Sequence, residues 1–351
     1  MDITPYLEMM VRYKASDLFF NPGAPVKIKI EGLIRSIGES VLTPELCAAA
    51  LNSILDAQQK SDFEQALELD FAIALEDRAR FRVNAYFQRG QPAMVLRYIR
   101  ANIPSMAELN LPPLLSQIIM SKRGIILMVG ATGSGKSTTL AAMIDHRNAS
   151  ASGHIVTIED PVEFVHSHKQ CIISQREVGV DTHSYANALK SVLREAPDVI
   201  LIGEIRTRET MEAALELAGT GHLAISTLHA NNAHQALKRI INMFPQEMHN
   251  TLFMDLSIYL QAILSQRLVK TATGARCAAI ETLVNTPHIA DLIRDGRVDE
   301  VIEAMQNSGH EGIKTFDDAL LTLYREGRIT LEEALANADS APNLEAKVHF
   351  G

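Results

Sequence analysis

Two hydrophobic rhythms divide this 351-residue chain. Over the first hundred or so positions, apolar and polar residues alternate. "LDFAIAL" (69–75), "ARFRVNAYF" (79–87) and "AMVLRYI" (93–99) keep a period of two, the mark of strands in one sheet with a buried and a polar face. "ASDLFF" (15–20) and "PVKIKI" (25–30) read as shorter strands separated by the turn "NPGAP". "YLEMMVRYKA" (6–15) and "PELCAAALNSILDAQQKSDFEQA" (44–66) read as helical. "ANIPSMAELNLPPLL" (101–115) then carries three prolines and little periodicity. A first α/β domain over 1–101 and a linker over 102–115 are expected.

Beyond the linker the rhythm changes. "GIILMVG" (124–130), "HIVTIED" (154–160), "DVILIGE" (198–204) and "HLAISTLH" (222–229) are continuous apolar runs with helical patterns between them. Continuous runs suit strands buried on both faces, so a mainly parallel sheet covered by helices is predicted over 116–275. The region 276–351 reads as helical. Phe316, Ala319, Leu320, Leu323 and Tyr324 share one helical stripe, and Gly327 stands where a helix would end. A loosely ordered tail is expected after Ala341. The fold class is thus α/β with a helical C-terminal region.

Composition narrows the function. The chain is 47% hydrophobic and 21% charged, with a formal net charge of -9. An acidic balance and no aromatic-plus-basic platform argue against a nucleic-acid partner. Cys47, Cys171 and Cys277 are far apart and form no C-x-x-C pair, so reduced, buried thiols are expected. No signal peptide is read at the start, and no apolar run approaches the ~20 residues of a membrane helix. A cytoplasmic protein without membrane insertion is expected.

"GATGSGKST" (130–138) fits G-x-x-x-x-G-K-[ST] between an apolar strand and a helical segment, the setting of a phosphate-binding P-loop. Gly130, Gly133 and Gly135 let the backbone wrap an anion, and the N–H groups from Thr132 through Ser134 to Thr138 face it. Lys136 adds positive charge at the β and γ phosphates, and the Ser137 hydroxyl can ligate Mg²⁺. Glu204, at the end of an apolar strand, is the candidate to hold Mg²⁺ through water. Asp198, at the start of that strand, reads as a cap or turn residue. His222, His229 and His234 lack a cysteine or nearby acid to complete a zinc set. At most one of His222 and His229, which flank one strand, is expected to face a γ-phosphate. "TIEDPVEFVH" (157–166) crowds Glu159, Asp160 and Glu163 around a proline. Spacing alone does not choose a catalytic acid among them.

In combination, "ASDLFF", "RFRVNAYFQRG", "GATGSGKST", "TIEDPVEF", "LREAPDVILIGEIR", "TGHLAISTLHAN" and "LSQRLVK" (264–270) resemble the type II/IV secretion ATPases. They are most similar to the PilT/PilU group of type IV pilus retraction (twitching-motility) ATPases. The resemblance spans nearly the whole chain. It implies a PAS-like N-terminal domain, a RecA-like ATPase core and a homo-hexamer that binds ATP between subunits. It implies catalytic roles for Glu163 as base or water-positioning acid, for Glu204, for His222 and His229, and for Arg82 and Arg97 as arginines reaching the phosphates. Glu159 and Asp160 are left as supporting acids.

Three departures qualify it. Phe19 stands where the family often has histidine, and Thr207 where retraction ATPases commonly have aspartate. "PHIADLIRDG" (287–296) lacks the PilT C-terminal motif, and the C-terminal segment looks more like PilU. The implied partners are a PilT-type paralogue and an inner-membrane pilus platform protein, to which the chain would be peripheral. The alternatives are a pilus assembly or type II secretion ATPase, whose relatives usually carry a longer N-terminal region and often a four-cysteine zinc module, and a nucleic-acid translocase.

Overall fold

The computed structural model describes residues 1–30, 32–75, 79–99, 102–310 and 312–350. The expected domain boundary at Ala101 lies outside the described residues. The chain forms two compact units, Met1–Asn102 with Glu163–Val165, and Ile103–Val162 with His166–Gly351.

The first unit holds strands β1 (Asp17–Phe20), β2 (Pro25–Ile30), β3 (Leu33–Val41), β4 (Glu68–Leu75), β5 (Ala79–Gln88) and β6 (Gln91–Ile99). They form an antiparallel sheet in the order β3-β2-β1-β6-β5-β4. The period of two is realised on β5, where Phe81, Val83 and Ala85 are fully buried and Arg80, Arg82 and Asn84 are not. Helix Pro44–Asn52 starts on Thr43, whose side chain accepts the Leu46 N–H, and helix Ala57–Ala66 starts on a capping box of Asp56 and Gln59.

The second unit holds β7 (Gly124–Val129), β8 (Gly153–Glu159), β9 (Cys171–Glu177), β10 (Val199–Glu204), β11 (Leu223–Leu228), β12 (Leu260–Lys270) and β13 (Arg276–Val284). The sheet order is β13-β12-β7-β11-β10-β8-β9, parallel except for β13. Every residue of β7 is buried, which is why that segment reads as an unbroken apolar run. β7 and β8 are consecutive in sequence but not adjacent in the sheet. The chain therefore leaves a crevice at the carboxyl ends of the strands, where open α/β sheets bind ligands.

Three expectations are corrected. Residues 276–284 are strand, not helix, and they extend the ATPase-type sheet beyond position 275. β12 and β13 escaped a hydrophobic reading because buried polar residues, Ser265, Gln266 and Glu281, interrupt them. The tail after Ala341 is the helix Ala341–Phe350, anchored by the fully buried Leu344 beside Leu320 and Leu323. The segment 102–115 is not all linker, because helix Leu114–Ile119 begins within it and buries Leu115.

Candidate functional site

The phosphate loop joins β7 to helix Lys136–Ser150, with Gly133 (φ 79°) and Gly135 (φ 85°) in left-handed conformation. A Cβ on Gly135 would also lie 2.8 Å from the Gln266 Nε2. Gln266, buried on β12, grips the loop: its amide donates to the Ser134 carbonyl at 2.7 Å and accepts the Thr139 hydroxyl at 2.7 Å. The buried Lys136 folds back over the loop, donating from Nζ to the carbonyls of Gly130 (2.7 Å) and Ala131 (3.0 Å). The Ser134 hydroxyl is buried without a hydrogen-bond partner among the described residues. A buried ammonium, an unpaired hydroxyl and a helix N-terminus at one glycine loop together fit an anion. Ser137 and Thr138, in the first helical turn, are half-buried.

The neighbouring strand ends supply the other groups. The pairing register of β10 on β11 shifts between Ile202 and Glu204. Glu204 Oε2 accepts the Arg206 Nε at 2.8 Å, and Oε1 lies 3.2 Å from the His229 Nε2. Gly203 is needed here for space, since a Cβ would lie 2.6 Å from the Tyr185 hydroxyl and 3.2 Å from the Glu159 Cα. Burial, then the charges of Asp160 and Glu159, push the Tyr185 phenol well above its ordinary range. Thr157 donates to Glu159 Oε1 at 2.7 Å. The buried Glu177, opposite Glu159 in register, accepts the Val162 N–H at 3.2 Å and holds the acidic segment in place. A cavity of about 590 Å³ opens between Gly130–Thr132 and His229, with Asn231 and Lys238 on its wall.

The second unit thus brings together the phosphate loop, Glu204, His229, Glu159 and Asp160. It does not bring His222 there. His222 precedes β11, and its carbonyl accepts the Gly124 N–H at the far end of β7. Six residues of strand, roughly 20 Å, separate it from the carboxyl edge. Asp198 sits at that far edge and accepts the His154 N–H at 2.8 Å, as a structural partner. His234 pairs with Asp299, which Lys238 shares. Glu163 is exposed and belongs to the first unit.

Arg82 and Arg97 also belong to the first unit, directly opposite each other on β5 and β6. Arg82 reaches Asp70 at 3.4 Å and Arg97 reaches the buried Asp17 at 2.9 Å. Like charges opposite each other destabilise a sheet, and Asp70 and Asp17 supply the anionic counterparts that offset this. The sequence reading missed Gln266, Arg206, Tyr185 and Glu177. "LSQRLVK" and "GEIR" contained two of them, but nothing in spacing alone assigned them a task.

The family of type II/IV secretion system proteins matches residues 1–336. The type IV pilus ATPase PilU of Pseudomonas aeruginosa is 49% identical, over 100% of this chain and 92% of that one. The type IV pilus retraction ATPase PilT of the same organism is 41% identical, over 98% of this chain and 100% of its own length. The crystal structure of the pilus retraction motor PilT with bound ADP superposes with a TM-score of 0.92 at 39% identity, covering 98% of this chain and 99% of that one. No helix among the described residues is long and apolar enough to cross a membrane. With the phosphate loop, the acidic segment and the histidine segment in place on one parallel sheet, the chain belongs to the type II/IV secretion system protein family.

Proposed function

We propose that this protein is a PilU-like ATPase that works as a homo-hexamer and drives or assists type IV pilus retraction. One observation carries the reading: a phosphate loop with a buried lysine shares a sheet edge with the Glu204–His229 pair, in a chain similar along its length to retraction ATPases.

ATP is the substrate. The loop N–H groups from Thr132 to Thr138 bind its β and γ phosphates, and Lys136 exchanges its two carbonyl partners for phosphate oxygens. Oxygen donors suit Mg²⁺, and Ser137 directly with Glu204 through water are the residues that would hold it. Bound Mg²⁺ supplies charge neutralisation at the phosphates. Glu163 orients or deprotonates the attacking water, and Glu159 and Asp160 support it. His229, not His222, monitors the γ-phosphate position through Glu204. Arg82 and Arg97 of a neighbouring subunit stabilise the charge developing on the transferred group, trading Asp70 and Asp17 for phosphate. Hydrolysis then moves one domain against the other, and the ring works on a membrane platform with a PilT-type paralogue.

The test has a biochemical and a cellular arm. Purified protein should release phosphate from Mg·ATP, and Lys136→Ala should not. Deleting the gene should impair pilus retraction, scored with and without an intact PilT-type protein. Wild-type turnover no higher than that of Lys136→Ala would refute the enzyme, and normal retraction in both backgrounds would refute the role.

A further inference from the structure

Strand alternation splits the polar residues of β12 between two tasks. Gln266 faces the phosphate loop, while Ser265 and Arg267 face the segment after His229 and the C-terminal helices. The Arg267 guanidinium donates to the Asn337 carbonyl (2.7 Å), to Asp339 Oδ1 (2.6 Å) and to the Asn231 carbonyl (3.4 Å), and it lies 3.9 Å above the Phe316 ring. The segment that follows His229 is pinned at three successive residues. Asn231 accepts from Arg267, the Asn232 Nδ2 donates to Asp339 Oδ2 at 3.4 Å, and the Ala233 N–H donates to the buried Glu281 at 2.7 Å. Asp339 is itself fixed. Its N–H and that of Ser340 both donate to the buried Asp317 carboxylate, at 2.8 and 3.3 Å.

We propose that Asp339, acting through Arg267, is a positioning residue: it carries the register of the C-terminal helices to the segment that places His229 beside Glu204. The proposal rests on the assignment of His229 to the γ-phosphate side. The C-terminal helices are then part of the catalytic framework, since Arg267 joins them to the Asn231 carbonyl, two residues after His229. Packing alone does not require this arrangement. A buried apolar contact would seat those helices without an ion pair reaching the histidine segment.

The test uses full-length protein and Mg·ATP. Asp339→Ala should lower kcat about tenfold, the effect of losing a charge-assisted hydrogen bond. KM for ATP should stay within about twofold, because the Gln266 grip is untouched. Asp339→Asn keeps an acceptor for Arg267 and should recover most of the loss at wild-type thermal stability. The double variant His229→Ala/Asp339→Ala should be no slower than His229→Ala alone. If His229→Ala keeps the wild-type kcat, the assignment of His229 fails. If His229→Ala is slow, the positioning role fails on any of three results: wild-type kcat in Asp339→Ala, losses that multiply in the double variant, or a loss in Asp339→Asn equal to that of Asp339→Ala.

Discussion

The phosphate loop and the arginine pair are held in opposite ways. The loop is gripped from within: Gln266 is 2% exposed, Lys136 is buried, and each bonds to loop carbonyls in the same unit. The arginines stand on a sheet face, with the Arg97 side chain 70% exposed, and each is neutralised by one acid. A gripped loop keeps its shape wherever the unit folds, and only its lysine has carbonyl partners to exchange for phosphate. On the proposed reading, the exposed, acid-paired arginines act only when a neighbouring subunit brings phosphate to them. That difference explains why the loop was recognisable from sequence physics, whereas the arginines emerged only from the resemblance.

The comparison can be broken at several strengths. Lys136→Ala should abolish measurable phosphate release and nucleotide binding, checked by titration with a fluorescent ATP analogue. Retained binding would show that the lysine is not the phosphate anchor. Glu163→Gln should keep nucleotide affinity and lose about 10²- to 10⁴-fold in turnover. A near-normal rate would move the base to Glu159 or Asp160. Arg82→Ala should fall short of the ~10³-fold loss of a lone arginine finger, because Arg97 remains beside it. Its loss should also appear only at concentrations where rings assemble, read by size-exclusion chromatography beside the assay. Gln266→Leu leaves the Ser134 carbonyl and the Thr139 hydroxyl short of a partner, which costs about 1–3 kcal/mol. It should weaken nucleotide binding about tenfold and leave the arginine pair's contribution intact.

The smallest effect is in pH. Burial pushes Glu281 up from its ordinary 4.5 to about 7, even though Ala233 and Ser265 donate to it. Its folded pKa lies above its unfolded one, so folding retains a proton that the unfolded chain releases. The associated stability is full below about pH 4.5 and is lost as pH rises through about 7. Glu281→Gln should therefore show a smaller fall in Tm between pH 5.5 and pH 8 than the wild type in paired scans. Equal slopes would mean that Glu281 is ionised throughout.

Much of this was legible beforehand. The two rhythms marked a sheet with one buried face and a mainly parallel sheet, and the apolar runs became β7, β8, β10 and β11. The phosphate loop announced itself by spacing and setting. What escaped included the mostly exposed β3, β9, and strands whose buried positions are polar. Ser265, Gln266 and Glu281 read as surface residues until their partners are seen, because burial of a polar group depends on hydrogen bonds made far away in sequence. The final helix escaped because Leu344 is its one buried residue among those described, and the Lys347–Asp318 ion pair helps to tie it down. His222 and His229 looked equivalent in sequence, and only the strand between them separates the sheet edge from its opposite end.

The most direct measurement mixes two defective proteins. Lys136→Ala lacks the loop lysine but keeps the arginines, and Arg82→Ala keeps the lysine but lacks one arginine. Subunits exchanged between the two should form some interfaces with both parts intact, so phosphate release by the mixture should exceed the sum of the separate variants. Activity equal to that sum, with mixed rings demonstrated by differential tagging, would contradict the account that the loop of one subunit is completed by the arginines of another.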